Sequence, residues 1–162
     1  MYLGIDPGLK QSAIVTTDMY RPLRVGIIDN DSMLDQLTNA VVTGGARAKM
    51  IIEIPICRKW SGSDISYTAI WTGRFIQAWP YPNAVRQISR SKVKGLLGCH
   101  RGGDSAVRKT LIERFDPGAY KITKAGVWVL KPEGSQWFEG FKKDIWQAYA
   151  AVVAHLDEVG GK

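Results

Sequence analysis

Apolar residues at the start of the chain come in short runs, Tyr2 to Ile5, Ser12 to Thr17 and Leu23 to Ile28, separated by Asp-Pro-Gly, by Thr-Asp-Met-Tyr-Arg-Pro and by Asp-Asn-Asp. Runs this short, rich in β-branched residues and joined by turn formers, predict three strands in an antiparallel meander. The period then lengthens. Asp31-Ser32 can cap a helix carrying Met33, Leu34, Leu37, Ala40 and Val41 on one side and ended by Gly44-Gly45. Lys49 to Ile54, stopped by Pro55, is apolar on both faces and predicts a strand inside the sheet.

Ser63-Asp64 opens a longer helical pattern through Ile65, Ala69, Ile70, Gly73 and Ile76, closed by Pro80 and Pro82. Ala84 to Ile88 predicts another strand. Lys92 to Leu97 and Asp104 to Phe115 predict helices, the second with Val107, Leu111, Ile112 and Phe115 on one face. A glycine-rich stretch from Asp116 to Gly140 holds at most a short strand at Gly126 to Leu130. The last helix, Lys143 to about Leu156, places Ile145, Ala148, Tyr149, Val152 and Leu156 together. A meander followed by strands alternating with helices argues for an α/β protein with a central mixed sheet flanked by helices.

At 162 residues the chain is expected to form one domain, residues 1–162. Its formal net charge of +7 points to a polyanionic partner, nucleic acid or an anionic membrane surface. No run approaches the ~20 apolar residues that span a bilayer, and no secretory layout opens the sequence, so a cytoplasmic protein is expected. Cys57 and Cys99 form no paired ligand set and are read as plain thiols.

Three carboxylates carry the candidate chemistry. Asp6 ends the first strand, and Glu53 lies on the strand after the first helix. Adjacent strands would bring both to one sheet face, where a carboxylate is costly unless paired or bound to a cation. Asp144 opens the last helix, where a helix-stabilising cap is its plain explanation. Asp6 could serve as a turn residue before Pro7-Gly8, and Glu53 could reach solvent. Taken together, an oxygen-only cluster suits a hard divalent cation such as Mg²⁺ or Mn²⁺.

The Gly4-Ile5-Asp6-Pro7-Gly8 motif, the Ile51-Ile52-Glu53 strand and the Asp144-x-x-x-Ala148 helix resemble RuvC-type Holliday-junction resolvases of the RNase H-like superfamily. The small phage-encoded branch is approached most closely, through Ile70 to Trp79, Val93-Lys94 with Gly98, and Asp104 to Phe115. The resemblance implies an RNase H-like five-stranded sheet, a three-strand meander plus two parallel strands. It also implies a crossover junction endodeoxyribonuclease working with two Mg²⁺ ions, for which Mn²⁺ can substitute, held by Asp6, Glu53 and Asp144. A homodimer acting on four-way junctions is implied too, in the cytoplasm of a bacterial host if the protein is phage-encoded. Where the family usually has a further acidic residue, three positions after Asp144, this chain has Gln147, which shares the helix face but offers only a neutral amide oxygen.

Between Arg86 and Lys109 lie Arg90, Lys92, Lys94, Arg101 and Arg108 among four glycines. Such a segment suits phosphate contact, with Asp104 read most simply as the cap of the following helix and, as the lesser reading, in a metal role. His100, in the same segment, touches phosphate or plays a plain loop role, and His155 is explained by packing or exposure. Arg58, Lys59 and Trp60, next to Glu53, suit opening of base stacking at a branch point, or Trp60 simply packs on the next helix. Trp71, Phe75 and Trp79 are read as core or subunit interface. Two further readings stay open: a nuclease for flaps, forks or RNA-containing duplexes, and a catalytically weak junction-binding protein.

Overall fold

The computed structural model describes residues 1–39, 48–56, 62–131 and 134–161. Strands β1 (Tyr2–Asp6), β2 (Gln11–Asp18) and β3 (Arg21–Asp29) form the expected antiparallel meander, and β4 (Lys49–Ile54) and β5 (Val85–Ser89) add to it in parallel. The order across the five-stranded sheet is β3-β2-β1-β4-β5. In this mixed sheet β1 is central, and β4 pairs with it in the register Gly4 with Ile51 and Ile5 with Ile52.

Side chains alternate across a strand, so this register sorts residues by face. Leu3, Ile5, Met50 and Ile52 point to one side and are covered by Met33 and Leu37 of α1 (Asn30–Thr38) and by Phe75 and Trp79 at the end of α2 (Ser63–Ala78). Ala13, Val15, Ile51 and Ile88 point to the other, against α3 (Arg90–Leu96), α4 (Asp104–Phe115) and α5 (Ile145–Gly160). Asp6 and Glu53 share the parity of Gly4 and Ile51, so both belong to the α5 side.

The position of α5 is set by small residues. Every residue from Ile145 to Asp157 is buried, most of them apolar but Gln147, His155 and Asp157 included, and Ala148, Ala150, Ala151 and Ala154 let neighbours approach closely. Closest is β1. A Cβ at Gly4 would overlap the Ala148 carbonyl oxygen and fall 2.7 Å from Val152 Cγ2 and 2.9 Å from Val15 Cγ1. His155, 3 % exposed, meets the Tyr2 ring further along, so α5 runs opposite to β1. One turn before Ala148 stands Asp144, while two residues beyond Gly4 stands Asp6; both steps cover about 6 Å.

Several expectations need correction. The α1 cap is Asp29, whose carboxylate accepts from the Ser32 amide at 2.8 Å, so the helix starts before Asp31. Its foreseen end at Ala40, Val41 and Gly44-Gly45 lies outside the described residues. On α2 the buried side is Thr72 and Phe75, continued by Trp79, with Ile76 packed partly against the same core; Ile65 lines the cleft of Glu53, and Ile70 is 58 % exposed, on a different face of the helix. The glycine-rich stretch contains a hairpin, β6 (Tyr120–Ile122) with β7 (Trp128–Leu130), of which only the second strand had a signal. No helix among the described residues is long and apolar enough to cross a membrane.

Candidate active site

The loop after β1 is fixed from below. Asn30, 2 % exposed, donates from Nδ2 to the carbonyls of Gly8 and Leu9 and accepts from Ser12 Oγ at 2.6 Å, while the Gly8 amide donates to Ser12 Oγ. These bonds hold the Asp6-Pro7-Gly8 turn to the meander. Sequence patterning missed Asn30, since an Asp-Asn-Asp run reads as ordinary turn chemistry.

Asp6 and Glu53 each sit one step past the Ile5–Ile52 pair, on neighbouring parallel strands. Burial and the Glu53 charge, with Asp144 and Asp104 adding repulsion against the opposing pull of Arg90, push the Asp6 carboxyl up to about 8. Burial likewise raises Glu53, and Arg90 opposes it. The three acids singled out in the sequence therefore act on one another electrostatically, joined by Asp104. Among the described residues they do not form a closed set of three or more His, Cys, Asp or Glu side chains ready to hold an ion. Arg90 explains part of this, donating to Glu53 Oε1 at 3.0 Å and to Asp104 Oδ1 at 2.7 Å.

Two plain explanations fail. Asp144 occupies the cap position of α5, but its side chain makes no capping bond; its backbone is already helical and its carbonyl, not its carboxylate, receives the Gln147 and Ala148 amides. Asp104 is not the α4 cap either; Gly103 is, and the Asp104 carboxylate turns to Arg90. Neither carboxylate is spent on the backbone of its own helix.

Two clefts open there. One, of about 530 Å³, is lined by Glu53, Arg90, Ser91, Lys94 and His100; the other, of about 550 Å³, by Asp104, Ser105, Arg108, Asp144 and Gln147. Gln147 is 3 % exposed and its Oε1 finds no hydrogen-bond donor among the described residues; the same holds for Glu53 Oε2. Buried oxygens without donors, beside further carboxylates, fit a hard divalent cation.

The basic residues divide. Arg90, Lys94 and Arg108 line the clefts, with Lys94 Nζ donating to the Gly102 carbonyl and the Arg108 guanidinium lying over Trp146 and Tyr120. Arg101 is exposed on the loop between α3 and α4. Lys92 pairs with Glu158, and Lys109 approaches Glu113 one turn on. Arg58, Lys59 and Trp60, with Cys57, lie outside the described residues.

RuvC of Thermus thermophilus has the same arrangement of strands and helices. Its complex with Holliday junction substrate superposes with a TM-score of 0.63 over 99 % of this chain and 94 % of that chain, at 13 % identity. A second Thermus thermophilus RuvC structure gives 0.64 over 99 % and 95 %, again at 13 % identity. This chain has the RuvC fold. At that identity the likeness carries the architecture alone, an RNase H-like mixed sheet flanked by helices, as expected. No protein-family model matches the chain, and no curated protein sequence does. The RuvC structures do not single out the phage-encoded branch.

Proposed function

We propose that the chain is a metal-dependent endonuclease that cuts branched DNA, four-way junctions above all, and works as a homodimer. The observation that supports this reading is Asp6 and Glu53 at neighbouring strand ends, with Asp144 near enough to act on Asp6, where burial first and then the Glu53 charge push the Asp6 carboxyl up to about 8. Acids repelling one another in a partly buried place cost stability, and a fold keeps such an arrangement where a cation is to be bound.

Mg²⁺, or Mn²⁺ in its place, held as a pair of ions by Asp6, Glu53 and Asp144 with the Gln147 amide beside them, would supply the charge that activates water and stabilises the departing oxygen in phosphodiester hydrolysis. The protein's own residues do the rest. The Asn30 network fixes the Asp6 turn, and Gly4 fixes the height of α5 and so of Asp144. Lys94 on α3 and Arg108 on α4, both at the clefts, and Arg101 on the exposed loop between these helices offer charge to the DNA backbone and set its path. On α2, Tyr67 and Ile70 are more than half exposed beside Trp71, whose ring is covered by Arg74. Such an apolar stripe suits contact with a second copy, which would present two sites to two strands.

The test compares wild type with Asp6→Asn on labelled four-way junction, flap and linear duplex in Mg²⁺ and in Mn²⁺. Wild type is expected to cut the junction in preference, and Asp6→Asn to bind it with near-native affinity without cutting. Equal cutting of all substrates would remove the junction selectivity. Junction binding without cutting by wild type in either metal would leave a binding protein, a reading favoured by the neutral Gln147.

A further inference from the structure

Arg90 opens α3, and its guanidinium is shared between carboxylates of two different elements, Glu53 on β4 and Asp104 on α4. An arginine that simply fastens structure grips one carboxylate with both arms, as Arg114 grips Asp157. Arg90 divides its arms between an inner and an outer acid. The Glu53 side chain is 9 % exposed, that of Asp104 64 %, and that of Arg90 itself 35 %. Glu53 Oε2, the oxygen Arg90 does not take, is buried and has no donor among the described residues. Arg90 lines the cleft of Glu53, and Asp104 lines the cleft of Asp144 and Gln147, so the ion pair contributes one member to each.

We propose that Arg90 is a resident counter-cation of the acidic site, which a divalent ion must displace from Glu53, and that Asp104 is the anchor on which the displaced guanidinium stays. The inference rests on the reading above, that Glu53 receives a divalent ion. A buried glutamate left without a partner is strongly unfavourable, and an exchange of one cation for another avoids that state. Glu53 is covered until the guanidinium moves. Asp104, exposed and on a separate helix, holds the outer arm throughout, so the freed inner arm points into the mouth of the site, where a backbone phosphate can take it in place of the carboxylate. Arg90 and Asp104 are thus positioning residues, and ion entry and phosphate capture are coupled through one side chain.

The experiment titrates the full chain with Mn²⁺ alone, read by electron paramagnetic resonance of the free ion. Arg90→Gln keeps an amide donor on a shorter side chain and removes the charge, and is expected to bind Mn²⁺ roughly tenfold more tightly, the order set by losing a unit charge beside a divalent one. Arg90→Lys keeps the charge and is expected to bind as wild type does. Affinity unchanged or weakened in a folded Arg90→Gln would overturn the proposal. Should that variant fail to fold by circular dichroism, guanidinium ¹H–¹⁵N spectra of wild type decide. Mg²⁺ is expected to shift the Arg90 resonance and speed rotation of its Nη groups. An ion that binds while Arg90 is unperturbed overturns this inference alone; a wild type that binds no ion overturns the functional reading with it.

Discussion

Replacing Gly4 by alanine tests how β1 and α5 are held together and whether that distance matters to the site. The added methyl would overlap the Ala148 carbonyl oxygen and press on Val152 and Val15 at 2.7 and 2.9 Å. The two valine methyls can yield by small rotations, but a backbone oxygen inside a buried helix cannot, so α5 must lift from the sheet. Overpacking of this kind costs about 1–3 kcal/mol, and the backbone clash puts it in the upper part, about 2–3 kcal/mol. In a domain of this size each kcal/mol lowers the melting temperature by about 2–4 °C, so the expected fall is about 4–12 °C. A second effect is separable from the first. Lifting α5 carries Asp144 away from Asp6, and a displacement of about 1 Å costs on the order of 10²-fold in turnover. Thermal melting by circular dichroism gives the first quantity, and junction cleavage well below the melting point gives the second. A Gly4→Ala protein that melts with wild type and cuts as fast would refute both the packing argument and the placement of Asp144 by it.

Asn30→Ala leaves the Gly8 and Leu9 carbonyls and Ser12 without their buried partner and is expected to cost about 1–3 kcal/mol, read as a lower denaturation midpoint. Because folding raises the Asp6 carboxyl from the ordinary aspartate range to about 8, the folded chain holds more protons than the unfolded one between those values; without divalent ions its stability should fall as pH rises through that window, and Asp6→Asn should remove this Asp6-dependent part of the decline in melting temperature. Arg101→Ala should weaken junction binding and reduce the slope of log affinity against log salt by about 0.9, measured by fluorescence anisotropy.

The sheet was legible because its strands alternate or run apolar between clear turns, and because Asp6 and Glu53 stand at strand ends where register alone brings them together. Asp144 was found for its place on a helix, yet its freedom from capping could only be seen once its backbone angles were known. The reason for Gly4 was hidden, since what fills the space above it is Ala148 and Val152, far along the chain. Asn30 looked like a turn residue for the same reason: its partners, Gly8, Leu9 and Ser12, belong to an earlier loop and strand. Arg90 was read with its basic neighbours as a phosphate contact, because charge runs reveal sign and not partners. Asp104 was misread as a cap, since its true partner is a side chain and not the backbone of its own helix.

Two of the acids, Asp6 and Glu53, rest on β1 and β4, and both strands have hydrogen-bonded neighbours on each side. Interior strands open to solvent only when the whole domain does. Repulsion between Asp6 and Glu53 therefore weakens the molecule as a whole. On the proposed reading a divalent ion is then a folding ligand as well as a reagent, raising stability with the logarithm of its concentration. Chelation would shorten the protein's lifetime against a protease and silence it in the same step.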